Sequence, residues 1–145
     1  MRLSAKGEYA IKAMLDLALH YGRGLIPIQE IAERQRIPQR YLEQVLLLLK
    51  RAGFLTSKRG SAGGYQFRQP PGEITVGSVL RAIEGSLERR EPGRPSSALD
   101  HSRDLAEFWA EVSAAVSEVI DRVTFEDLRQ RAEARRSAQR LMYHI

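Results

Sequence analysis

Residues 28–68 read IQEIAERQ RIP QRYLEQVLLLLKR AG FLTSK RGSAGG YQFR, and this stretch decides the fold. Ile28, Ile31 and Ala32 recur at helical spacing in its first segment. Arg36-Ile37-Pro38 breaks that pattern. Pro38 suits the first position of a second helix, where its missing N–H has no partner to lose. Tyr41, Leu42, Val45, Leu46, Leu48 and Leu49 give this second helix a wide apolar face, with Gln39, Arg40, Glu43 and Gln44 opposite. Gly53 ends it. Residues 54–58 and 65–68 alternate like strands, and Arg59-Gly60-Ser61-Ala62-Gly63-Gly64 joins them with glycines suited to a hairpin turn. Two short helices at an angle, followed by a basic hairpin, predict a helix-turn-helix with a wing.

Upstream, Ser4 is the expected N-cap of a first helix running to about Tyr21. Its apolar stripe is Ala10, Ala13, Met14, Leu17, Ala18 and Tyr21. Gly22 and Gly24 stop it, and Pro27 leads into the next helix. Downstream, Pro70-Pro71-Gly72 marks a turn, and Thr75 opens a helix that carries Val76, Val79, Leu80 and Ile83 and ends at Glu84-Gly85. Residues 86–100 are rich in Ser, Pro, Gly and charge and are expected to form a mobile loop.

From 101 to 123 the pattern is one long helix. Leu105, Phe108, Trp109, Val112, Ala115, Val116, Val119, Ile120 and Val123 repeat at alternating three- and four-residue steps, the seam of a coiled coil. The seam is too long and aromatic for so small a domain to bury, so its expected partner is the same helix of a second subunit, or the first helix of that subunit; the alternative is a helix folded back on its own core. Phe108 and Trp109 are read as dimer core, with a ligand pocket as the alternative. Thr124 is expected to cap a short helix over 125–129, followed by a charged, fraying tail over 130–145. The expected organisation is thus a DNA-binding domain at 1–85, a loop at 86–100, a dimerisation unit at 101–129 and a tail at 130–145. The fold class is mainly α with a small β-wing, a winged helix-turn-helix domain plus a long dimerisation helix.

The 145 residues, 43% of them hydrophobic, suffice for a packed core, and the net charge is +5. Its distribution says more than its size. Residues 1–68 hold 12 Lys and Arg against 5 Asp and Glu, whereas 69–145 hold 11 against 13. A basic half suggests a polyanionic partner, here double-stranded DNA. The chain has no cysteine, which removes disulfides, thiol catalysis and cysteine-ligated metal. His20, His101 and His144 are too scattered for a metal site. No apolar run approaches the ~20 residues of a membrane span, and the N-terminus lacks a signal-peptide core. A cytoplasmic location without a membrane partner is expected.

No nucleophile elbow, phosphate loop or HExxH occurs. Residues 60–64 superficially suggest a phosphate cradle, but they lead from strand to strand rather than into a helix. No enzyme activity, catalytic residue or cofactor is expected.

On the recognition helix, Gln39, Arg40, Glu43 and Gln44 are candidate base readers: Arg pairs with guanine, Gln with adenine, and Glu accepts from cytosine. For Glu43 the alternative is a local pair with Arg40. Tyr41 packs, contacts phosphate, or both. Arg59 at the wing tip suits a minor groove, and Ser61 with the neighbouring N–H groups suits phosphate. Lys58, Lys6, Arg2 and Arg36 are candidate phosphate contacts, each with solvated surface charge as the alternative.

The residues 3–10 (LSAKGEYA), Ile31-Ala32, residues 37–49 with their Tyr41-Leu42-Glu43-Gln44 core, Gly53-Phe54-Leu55, Arg59-Gly60, Gly63-Gly64-Tyr65, and Ile74-Thr75-Val76 through Glu84-Gly85 occur in one order. The chain thereby resembles the Rrf-two family of bacterial winged-helix transcription regulators over about residues 2 to 85, and more loosely beyond. The resemblance implies a homodimer that binds operator DNA, usually as a repressor. Sensor members of that family carry three cysteines in the loop after the Glu84-Gly85 equivalent, and here there are none. Glu8 stands where some members use an acidic cluster ligand, but one carboxylate cannot hold a cluster; it is read as a solvated residue in the first helical turn, suited to the helix dipole. Ser96, Ser97 or Ser102 in place of cysteine would not bind a cluster either. The departure points to the cysteine-free branch, similar to the cysteine-metabolism repressor, whose members respond to a partner enzyme or a small molecule. A winged-helix module that binds protein is the competing function. Polar and basic groups on the recognition helix argue against it, because a protein-binding face exposes apolar anchors.

Overall fold

The first helix, α1 (Ala5–Leu19), is the post around which the other elements stand. Its buried Ala10, Ala13, Met14, Leu17 and Ala18 are small or flexible enough to let neighbours approach from several sides. It packs against α2 (Ile28–Gln35), α3 (Gln39–Arg51), α4 (Val76–Glu84), α6 (Phe125–Tyr143) and strand β2 (Gly64–Phe67). The computed structural model describes residues 3–85 and 100–143. The loop expected at 86–100 falls almost wholly outside the described residues, as do Arg2, Ser96, Ser97 and His144.

Local chemistry sets the element ends. The Ser4 hydroxyl accepts from the Gly7 N–H at 3.0 Å, capping α1. Glu84, at the end of α4, accepts from the Ser4 N–H at 2.8 Å, so the two helix ends are tied together. At the end of α3, Phe54 N–H donates to the Leu49 carbonyl (3.1 Å) and Gly53 N–H to that of Lys50 (3.0 Å). This paired closure needs a left-handed residue, and Gly53 supplies it with φ of 89°.

Strand β1 (Leu55–Lys58) pairs antiparallel with β2 in the register Leu55–Phe67, Thr56–Gln66, Ser57–Tyr65, Lys58–Gly64. A third segment joins them: Ile26 and Tyr65 exchange two backbone hydrogen bonds of 2.8 Å. Gly64 has no side chain because the Ile26 carbonyl occupies the space a Cβ would take. A helical turn over Pro71–Glu73 leads to α4.

The long helix α5 (Asp100–Arg122) packs along α4. Val76 N–H donates to the Val123 carbonyl (2.9 Å) and Phe125 N–H to that of Ile74 (3.0 Å), so the approach to α4 and the α5–α6 junction form a small ladder. Phe125 is fully buried, with its ring edge-on to Phe67 at 6.4 Å. Thr124 and Asp127 cap α6 reciprocally: Asp127 accepts from the Thr124 N–H (3.0 Å), and the Thr124 hydroxyl from the Asp127 N–H (3.1 Å).

The expected end of that helix near Arg129 is corrected: α6 runs to Tyr143. Arg129 pairs with Glu126 one turn back and with Glu133 one turn on at 3.0 Å, which carries the helix past residue 129. Alanines at 132, 134 and 138 favour the same state. Charge in this tail is helical surface rather than a sign of fraying.

Candidate nucleic-acid interface

The α2–α3 turn is closed by Ile37, whose N–H donates to the Ala32 carbonyl at 3.0 Å while its side chain is buried. Reaching that geometry places Arg36 at φ 54° and ψ 46°, the left-handed region, at a cost of about 1 kcal/mol for a residue with a Cβ. Pro38 precedes α3 as its N-cap rather than opening it. It offers no side-chain cap, and in the first turn the Tyr41 N–H donates to the Pro38 carbonyl at 3.0 Å.

Leu42, Val45, Leu46 and Leu49 hold α3 to the core. Gln39, Arg40, Tyr41, Glu43 and Gln44 are all exposed on the opposite side. Tyr41 is 56% exposed, yet its ring lies 6.5 Å from that of Tyr9 on α1. One face of Tyr41 is therefore supported while the rest remains available. The contact also brings the first turns of α1 beside the start of α3. Lys6, three residues before Tyr9, is exposed at that edge.

On the wing, Lys58, Arg59 and Ser61 are exposed. Gly60 has φ of 111°, and the Gly63 N–H donates to the Gly60 carbonyl at 3.0 Å, so the tip folds tightly and projects its side chains. These candidates thus fall on three structural pieces: the start of α3, the start of α1 and the wing.

A buried group that sequence reasoning passed over sets the pose of α2. Asp16, on α1, is 1% exposed. It accepts from Arg34 Nε and Nη2, each at 2.9 Å, and from Gln35 Nε2 at 3.1 Å. This hydrogen bonding holds the Arg34 guanidinium above its ordinary value. The available signal was a lone carboxylate between Met14 and Leu17 on an otherwise apolar face.

The α5 seam is largely uncovered. Leu105, Phe108, Trp109 and Val119 are each about half exposed, at 49 to 52%. Val112, Val116 and Ile120 are partly buried.

An exposed polar recognition helix, a basic glycine-tipped wing and a long apolar helix define a winged-helix transcription regulator. The chain belongs to the Rrf2 family, described as iron-dependent transcriptional regulators, which matches residues 3–131. The HTH-type transcriptional regulator IscR of Aliivibrio salmonicida is 37% identical over 129 residues, covering 88% of this chain and 77% of that protein. Among solved structures, CymR, the global cysteine regulator of B. subtilis, matches with a TM-score of 0.77 and 33% identity, covering 90% of this chain and 97% of that one. IscR of T. potens matches with a TM-score of 0.75 and 36% identity, over 91% and 88% respectively.

The family description raises iron, and the donor set here does not fit a thiolate-held cluster. The chain has no cysteine. Among the described residues no three His, Asp or Glu converge on one point. Glu8 is exposed on the first turn of α1. No helix among the described residues is long and apolar enough to cross a membrane.

Proposed function

We propose that this chain is a DNA-binding transcriptional repressor that works in the cytoplasm as a homodimer on a near-palindromic operator, without an iron–sulfur cluster. The observation that carries this reading is the exposed polar start of α3 set beside the basic wing, with Tyr41 braced on Tyr9. Arg40, Glu43, Gln39 and Gln44 read base edges in the major groove. Arg59 enters the adjoining minor groove, and Lys58, Lys6, Ser61 and the Tyr41 hydroxyl meet phosphates. The seam, half exposed at Leu105, Phe108, Trp109 and Val119 and partly buried at Val112, Val116 and Ile120, supports pairing of α5 with its counterpart in a second copy.

Selection of bound fragments from random duplex DNA, followed by transcription from a template carrying the recovered site, tests the reading. The expected result is a two-fold related sequence with half-site centres about one helical turn or a multiple apart, and less transcript as protein is added. Recovery of no preferred sequence at any salt concentration would overturn it.

A further inference from the structure

The second half of α6 is a helix that touches little of its own chain. The first half packs on α1 and on the Pro71–Glu73 turn, with Leu128 against the core. Every residue from 133 to 143 is exposed. Leu141, Met142 and Tyr143 at its end are 67, 77 and 88% exposed. This half is also basic: Arg135, Arg136 and Arg140 form no ion pair among the described residues.

The complementary surface is on α5. Its first half exposes Asp104, Glu107 and Glu111 alongside Leu105, Phe108 and Trp109, whose rings stand edge-on to each other at 5.2 Å. Those carboxylates likewise form no ion pair among the described residues. The arm of the same chain leaves this surface uncovered, since α5 leans on α4 and α6 on α1.

We infer that the C-terminal half of α6 is an arm that seats on the first half of α5 in a second copy of this chain, its arginines against the Asp104, Glu107 and Glu111 stripe that flanks the paired seam. This rests on the homodimer reading above and adds a second contact to it. The arm turns a single-helix crossing into a reciprocal embrace, in which each subunit is held by both α5 and the partner's α6.

The test uses the full chain in two charge-reversed forms, R135E/R136E and E107R/E111R, with dimer dissociation measured by analytical ultracentrifugation. Exposed pairs are individually weak, but two-fold symmetry doubles each reversal, so either variant alone should dissociate about ten-fold more readily than wild type. Mixed in equal amounts, the two should associate to within about three-fold of wild type, because opposite charges then face each other across both contacts. A pairing within one chain would give no such rescue. Neutral R135Q/R136Q, with wild-type helix content by circular dichroism, should show a smaller loss of the same sign. If wild type is a dimer and the mixture associates no better than either variant, the arm contact is overturned while the homodimer stands. Unchanged dimerisation of R135E/R136E with a lower salt slope for DNA would overturn it too, making the arm a phosphate contact. A monomeric wild type would overturn both readings.

Discussion

Asp16 on α1 and Arg34 on α2 form a two-pronged ion pair, Nε and Nη2 each 2.9 Å from one carboxylate oxygen. The pair fixes the angle of α2 on α1, and α2 in turn carries α3 through the strained Arg36 turn. Removing the carboxylate leaves Arg34 with only its 3.2 Å bond to Glu30, and takes from Gln35 its acceptor on α1. Asp16→Ala is expected to destabilise the fold by about 2 kcal/mol, read from urea unfolding. Arg34→Lys keeps the charge and loses the fork, so it should fall between wild type and Asp16→Ala. A cost for Asp16→Ala within experimental error of zero would show that the pair does not hold α2.

Base reading and phosphate contact separate at Glu43 and Lys58. Glu43 is exposed on the first half of α3, Lys58 at the end of β1. Glu43→Ala should relax preference at one step of each half-site while binding to random DNA holds or rises, since a negative charge has gone. Lys58→Ala should weaken all sequences alike and lower the salt slope by about one unit. Binding titrations across salt concentrations, with operator, altered operator and random duplex, distinguish the two. Identical effects would place α3 outside the major groove.

Val112 and Val116 lie at the middle of the α5 seam and are partly buried in one chain. Val112→Asp with Val116→Asp places charge where a second copy would pack. Sedimentation should show monomer, and operator affinity should fall with it, because each half-site is then bound alone. A dimer that survives both changes would mean that copies meet elsewhere.

Three carboxyls at the α5–α6 junction sit below their ordinary range. Arg81 holds Asp121 down by hydrogen bonding, Arg129 does the same for Glu126, and the Thr124 backbone N–H, followed by its hydroxyl, lowers Asp127. A depressed carboxyl contributes stability that is present above its unfolded value and lost as pH falls through the folded one. The ordinary values are 3.8 for Asp and 4.5 for Glu. Fluorescence of Trp109, the chain's one tryptophan, should therefore report a thermal midpoint contributed steadily by these groups at neutral pH and declining in acid below that range. Arg81→Gln should blunt the acid loss; an unchanged acid profile in that variant would remove Asp121 from the account.

The helix-turn-helix and wing were legible because their signals are local. Four-residue repetition of leucine, a proline before α3 and a glycine-rich tip state their conformation within a few residues. Residues that act at a distance were not. Ile26 pairs with Tyr65 across 39 positions, Asp16 meets Arg34 across 18, and Phe125 enters a core built by residues 10 to 80. Nothing near any of them in sequence announces its partner. The second half of α6 was missed for another reason: its composition was read as solvated charge, while helix propensity and one-turn ion pairs spoke for order.

Phe125 has a consequence for the order in which the chain is made. Its ring completes the core against Phe67, while its N–H bonds to Ile74. Both helices and the hairpin that would face DNA precede it. A nascent chain released as far as Gly85 thus carries every residue proposed to meet DNA and still lacks the ring that packs on Phe67. At ~5–20 residues per second, the 40 residues from 85 to 125 take about 2 to 8 s to synthesise. On the proposed reading of DNA, the surface that meets the operator is expected to reach full stability only once the start of α6 has been synthesised.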